Sequence, residues 1–194
     1  MAQDISKNVA RFKNAVALAA ALALAGCGGE ASRPGPISPQ ALRAIANAHV
    51  DPAAAAAMLT AYRASHGLGP VRLDAALSAM AQRQANAMVA ANELSHDVAG
   101  GFSSRVLAAG LDTPRAAENV GGGYYSIEEM FKGWRDSPDH NANLLMPQAT
   151  RFGIAIAKDA RTQLRVYWAM EVAAEPEKRV GGSASLDAPS AANP

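Results

Sequence analysis

At Pro147 the hydrophobic period of the chain changes, and that change limits the fold more than any other feature of the sequence. Before it, apolar residues recur at helical spacing; after it, they alternate. In "RFGIAIAKD" Phe152, Ile154 and Ile156 fall on one face of a strand. In "LRVYWAMEVA" Val166, Trp168 and Met170 share one face, with Arg165, Tyr167 and Glu171 on the other. The polar "KDARTQ" between them predicts a hairpin turn. Helices followed by an antiparallel hairpin make an α+β fold in which the helices cover the sheet. A sheet this small cannot stand alone, so the helices must supply most of the buried area.

The helices announce themselves by their ends. Asp51 as N-cap, Pro52 at the first helical position and Gly67 as a stop frame the first, with Ala54, Met58, Leu59 and Tyr62 along one face. The second runs from Asp74 to about Asn92. Leu77, Met80, Ala81, Ala85 and Met88 follow its period, while Gln82, Arg83, Gln84 and Asn86 fill much of the other side. A loop with "SHD" comes next, then a short helix from about Ser103 to Ala109 that stops at Gly110. Ser126 and Glu129 form a capping box for the fourth, and its stripe of Ile127, Met130, Phe131 and Trp134 puts Trp134 on the core side. In "WRDSPDHNANLL", Ser137 reads as an N-cap, Pro138 as the first residue and His140 as a first-turn residue. Exposed backbone N–H groups there disfavour a protonated imidazole.

The two ends of the chain differ from its middle. Lys7, Arg11 and Lys13 precede an uncharged apolar run, Ala15 to Ala25, that closes on a small residue and a cysteine, the pattern of a secretory signal. At about eleven residues the run is too short to cross a hydrocarbon core as a helix, which takes about 20. Leu24-Ala25-Gly26-Cys27 resembles the bacterial lipobox, which implies that residues 1–26 are removed and that lipid on Cys27 ties the protein to a membrane. By resemblance to enterobacterial sorting, Gly28 after that cysteine implies the outer membrane, on its periplasmic face. Cys27 is the only cysteine, so no internal disulfide can form. Residues 27–50, rich in Gly, Pro and Ser at their start, read as a flexible tether, and residues 175–194 as a disordered tail. The folded unit between them starts at about Gln40 or Asp51, with the domain proper at 51–174. Net charge is +1 and the basic residues are scattered, which excludes nucleic acid as a partner.

Four histidines carry most of the available chemistry. His49 lies in the tether, and His66 ends the first helix, where it serves as a cap on the negative end of the dipole. His96 and His140 sit at element boundaries among small polar residues, and Glu118 in "AENVGGG" precedes glycines whose backbone bends freely. Two imidazoles and a carboxylate can hold a divalent metal or transfer protons, and equally can form a hydrogen-bonded cluster that ties loops to the core. Their spacing is not a local metal motif such as H-E-x-x-H. No G-x-S-x-G supplies a nucleophile, and "GGGYY" lacks the Lys and Ser/Thr of a phosphate loop.

The ordered series "LSHD", Phe102 to Gly110 with its Phe-x-x-Arg-Val, "AENVGGG", "W-x-x-S-P-x-H-x-x-N-L-L", "FGIAIA" and "YWAMEVA" resembles the bacterial branch of the CAP superfamily. That superfamily takes in cysteine-rich secretory proteins, antigen 5 and pathogenesis-related proteins (the SCP domain). The likeness spans about Ala56 to Ala173. It implies an α-β-α sandwich with a small antiparallel sheet between helical layers, and a cleft lined by two His and two Glu that can bind a divalent cation such as zinc. Residue by residue, His96 matches the first histidine, Glu118 the first glutamate and His140 the second histidine. The second glutamate falls where this chain has Ser137, with Asp136 beside it pointing elsewhere on the helix.

Two functions from different classes fit this set. The first is a lipid-anchored envelope binding module whose cleft takes a divalent metal, a small apolar ligand or an envelope protein. The missing fourth ligand and the lack of a nucleophile favour it. The second is a metal-dependent, peptidase-like hydrolase in which His96 and His140 hold the metal and Glu118 acts as base.

Overall fold

The first helix lies where the composition predicts a tether. The computed structural model describes residues 37–176, and within them α1 (Pro39–Asn47) starts the fold ahead of residue 51. Ser38 Oγ accepts from Ala41 N (3.1 Å) and Pro39 takes the first helical position. A helix of nine residues is not stable alone. It is held by buried Ile45 and by Lys158 Nζ, which donates to Ala46 O (2.7 Å) and Ala48 O (2.6 Å) at its C-terminal end. The predicted signal segment 1–26, Cys27 and the tail from residue 177 lie outside the described residues.

Asp51 Oδ1 accepts from Ala53 N and Ala54 N to open α2 (Pro52–Ala64), as its sequence predicts. The buried face differs from the expected one: it is Ala55, Ala56, Leu59 and Arg63, while Ala54 is exposed and Met58 and Tyr62 are half-buried. The helix is turned because Arg63, by type a surface residue, goes inward. A two-residue strand, β1 (Arg72–Leu73), leads to Asp74, which caps α3 (Ala75–Ala91) through Ala76 N and Leu77 N. All five predicted core positions of α3 are fully buried. So is Gln84, whose Nε2 donates to Ser95 O (2.6 Å).

After α4 (Phe102–Ala108), "AENVGGG" is not a freely bending loop but strand β2 (Ala116–Gly122). Helices α5 (Ile127–Asp136) and α6 (Pro138–Leu144) follow, then β3 (Arg151–Lys158) and β4 (Val166–Ala173). The predicted hairpin is thus the centre of a four-stranded sheet in the order β1-β3-β4-β2, antiparallel except for the β1-β3 pair. Every residue of β4 is buried, so both of its faces are covered. Val166, Trp168, Met170 and Val172 pack against α2, α5 and α6, and Tyr167 and Ala169 against α3. Helical layers on both faces make the α-β-α sandwich. Each large apolar side chain buried this way contributes roughly 1.5–3 kcal/mol. Helix α3 lies so close to the sheet that a Cβ at Gly153 would collide with the backbone of Leu77 and Ser78.

Candidate functional site

Strand β2 is an edge strand, and the site is built around it. Alternation sends Glu118 and Val120 to the side of α3, and Asn119 and Gly121 to the side of α5 and α6. His96, in the loop between α3 and α4, therefore meets Glu118 on one side of β2, while His140, in the first turn of α6, stands on the other. Helix α6 is fixed there by polar side chains. Asn119 Nδ2 donates to His140 O (3.0 Å), and Asn143 Nδ2 to Glu118 O (3.1 Å) and Asn119 Oδ1 (2.9 Å). Tyr62 Oη donates to Asn141 Oδ1 (2.8 Å), and Trp134 Nε1 to Val120 O (3.1 Å). Ser137 occupies the N-cap position predicted for it, but its side chain makes no capping bond.

Beneath His96 lies a buried cluster of charge. His96 Nδ1 donates to Glu118 Oε1 (2.7 Å), with the imidazole half-exposed and the carboxylate 2% exposed. Arg105 of α4 grips the same carboxylate with two nitrogens, Nη1 to Oε2 at 2.7 Å and Nη2 to Oε1 at 2.9 Å. Its remaining donors reach Gly100 O (2.8 Å) and His96 O (2.9 Å), so one guanidinium ties the His96 loop to β2. Glu171, the residue opposite Glu118 in the β2–β4 pairing, is fully buried. As a carboxylate it would have two oxygens with no donor, because Arg105 Nη1 is 3.6 Å away, too far for a hydrogen bond. The acid form can donate to Glu118, and the surroundings of Glu171 favour that form. Burial pushes the Glu171 carboxyl well above the usual range, and the charge of Glu118 adds to the effect. For Glu118 burial acts in the same direction, but hydrogen bonds from Arg105, Glu171 and His96 outweigh it and hold the group below its ordinary value. The two shifts run in opposite directions and favour the proton on Glu171 over Glu118.

His140 is the titratable group of the adjoining cleft. Burial lowers its pKa and His96 lowers it further, against the opposing pull of Asp139. The neutral ring expected from the sequence is favoured, with burial and a neighbouring imidazole as causes. The cleft has a volume of about 320 Å³. Leu94, Tyr124, Met130 and Trp134 give it an apolar lining, and Ser137 and His140 give it polar points. Of the other histidines, His66 Nδ1 bonds to Tyr62 O (3.0 Å), the helix-end role expected of it, and His49 Nδ1 bonds to Asn47 O (2.8 Å).

The residues present do not fit the cation site that the family likeness implies. Both Glu118 oxygens are taken by a fixed positive charge, His96 turns Nδ1 to that same carboxylate, and Ser137 stands at the fourth position. Among the described residues no three His, Cys, Asp or Glu side chains gather so as to hold a metal ion.

The fold agrees with what is found among known proteins. The model of the CAP family, the cysteine-rich secretory protein family, matches residues 56–172, and the chain belongs to that family. It is 29% identical over 99 residues to the uncharacterised protein YkwD of Bacillus subtilis (strain 168), a stretch that covers 50% of this chain and 38% of that one. An extracellular protein of Bacillus anthracis that contains an SCP domain superposes with a TM-score of 0.58 at 21% identity, over 73% of this chain and 45% of the other. An outer surface protein of Borrelia burgdorferi superposes at 0.55 with 15% identity, over 61% and 88%. The chain thus spans less than half the length of the Bacillus relatives, and the two superpositions, under a quarter identical, speak for the fold alone.

Arg105 and Glu171 are the site residues that sequence reasoning missed. Each left a trace: Arg105 is the charged residue of the Phe-x-x-Arg-Val stretch, and Glu171 is the one acidic residue in a strand of otherwise apolar character. Only the strand register, which sets Glu171 against Glu118, joins the two traces.

Proposed function

We propose that the protein is an exported CAP-domain binding module, anchored in the cell envelope by lipid on Cys27, whose cleft beside β2 takes a small, mainly apolar ligand with one hydrogen-bonding group. The cleft itself carries this reading. Its volume of about 320 Å³ is of ligand size, its walls are Leu94, Tyr124, Met130 and Trp134, and the titratable group it offers is a neutral imidazole. An extracellular protein of Bacillus anthracis and an outer surface protein of Borrelia burgdorferi share this fold, in keeping with export. Among the described residues no helix is long and apolar enough to cross a membrane. The hydrolase alternative has less support, since a carboxylate held below its ordinary pKa by Arg105, Glu171 and His96 is a poor base.

Trp134 lies in the cleft wall, so tryptophan fluorescence of the full-length protein titrated with brominated fatty acid or sterol reads occupancy directly. Saturable quenching is expected. Leu94→Asp, at a residue 45% exposed and so tolerant of charge, weakens it roughly tenfold. No saturable quenching with either probe contradicts the binding reading. Zinc-dependent cleavage of a peptide or ester that vanishes in the His96→Ala, His140→Ala double variant replaces it with the hydrolase.

A further inference from the structure

The misfit between this site and a divalent cation has a physical cause. We propose that Arg105 is the built-in cation of the site: its guanidinium does the neutralising and bridging that a metal ion would otherwise do, so the cluster of His96, Glu118 and Glu171 is complete without metal.

The charge count supports this. Arg105 brings one positive charge and Glu118 one negative charge, joined by two hydrogen bonds, and His96 Nδ1 donates to the same carboxylate. The charge of the Glu118 carboxylate is thus answered by the guanidinium alone. Leaving out Arg105 would strand a carboxylate with 2% exposure, which is the situation a metal ion relieves in other settings. Geometry supports it as well. A metal bound by Glu118 and His96 would bring the His96 loop to β2, and Arg105 makes the same connection through Gly100 O, His96 O and both Glu118 oxygens. The planar fork of an arginine matches two carboxylate oxygens at once, which a lysine ammonium does not. Phe102, one turn earlier on α4, lies 5.4 Å from the guanidinium and covers it. A divalent ion entering here would face a fixed like charge in a buried setting and would have to displace the three hydrogen bonds that Glu118 accepts from Arg105 and His96. Ser137, at the place where a further carboxylate would answer such an ion, offers only a hydroxyl.

The inference does not depend on which ligand the cleft takes, and it makes Arg105 a positioning residue for His96. Its test is thermal unfolding of the full-length protein in EDTA and in excess zinc, for wild type, Arg105→Ala, Arg105→Gln and Glu118→Gln. Wild type is expected to melt at the same temperature in both. Arg105→Ala is expected to melt lower in EDTA and to recover in zinc by roughly 5–10 °C when the ion stands at about 100 times its dissociation constant. Should Arg105→Ala not fold, Arg105→Gln keeps hydrogen-bond donors without the charge and is expected to show the same selective response. A loss of packing alone would lower the melting temperature without making it zinc-dependent. Two results overturn the proposal: a saturable zinc-induced rise in wild type that Glu118→Gln abolishes, or Arg105 variants that respond to zinc no more than wild type does.

Discussion

Two buried arginines of this protein are held in opposite ways. Arg63, fully buried on α2, spends its donors on main-chain carbonyls: Gly69 O (2.9 Å), Leu144 O (3.0 Å), Met146 O (2.9 Å) and Ala149 O (2.9 Å). Those carbonyls include the C-terminal end of α6, where the helix dipole is negative. Arg105, at 7% exposure, is held mainly by the side chain of Glu118, with a second carboxyl and an imidazole in the same cluster. Main-chain carbonyls are neutral dipoles that do not titrate, whereas carboxyls and imidazoles gain or lose a proton with pH. The first arginine is therefore scaffold, fixing the loop after α6 and so the helix that carries His140. The second sits in a cluster of titratable groups, bound to strand β2.

The largest expected effect is at the scaffold. Arg63→Met strips partners from four carbonyls and should cost on the order of 3–5 kcal/mol in urea unfolding, by nearly the same amount at any pH between about 5 and 8. A loss below about 1 kcal/mol would remove Arg63 from this role. Arg105→Met should cost about 2–4 kcal/mol at neutral pH and visibly less near pH 5, because the stranded Glu118 can then take up a proton. Equal losses at the two pH values would erase the distinction between the arginines.

A smaller effect isolates the proton of the carboxyl pair. Glu118, with its pKa depressed, contributes stability above the unfolded carboxyl range and loses it as pH falls through the folded value. Glu171 runs the other way. Its folded pKa is raised above the ordinary 4.5, so the folded state keeps a proton that the unfolded chain releases, and stability declines as pH rises past that value. Glu171→Gln copies the acid and cannot ionise. It should melt higher than wild type at about pH 8 and no higher at about pH 4. A variant less stable than wild type at both would place the proton elsewhere. The smallest effect on the fold, and a decisive one for location, is Cys27→Ser. It should leave thermal unfolding unchanged while abolishing incorporation of a fatty-acid analogue in cells, and label on the variant would exclude the lipobox assignment.

Much of the scaffold was legible because its signals are local. Asp51, Asp74 and Ser126 cap their helices through bonds to residues two or three further on, and the period of α3 places its core without knowledge of the rest. The alternation of β3 and β4 was equally plain. What was not legible depends on partners far along the chain. Glycines in "AENVGGG" suggest a bend until β4 pairs with it, and α1 has too little apolar character to be read until Lys158 meets its end. The site divides along the same line. His96, Glu118 and His140 could be named from their positions in short motifs, and the fold brings His96 to Glu118 and sets His140 across β2. Arg105 and Glu171 could not, since their roles follow from strand register and from the packing of α4.

The claim that Glu118 is already satisfied by Arg105 and His96 is tested most directly at the imidazoles. Nitrogen-15 spectra of the full-length protein, recorded in EDTA and then in excess zinc, report the protonation of each ring nitrogen, with His49 and His66 as internal references. The expected result is a His96 ring protonated at Nδ1 toward Glu118, a neutral His140, and no joint, saturable response of the two rings to zinc. Signals of His96 and His140 that shift and saturate together with zinc in wild type, and fail to do so in Glu118→Gln, would contradict it.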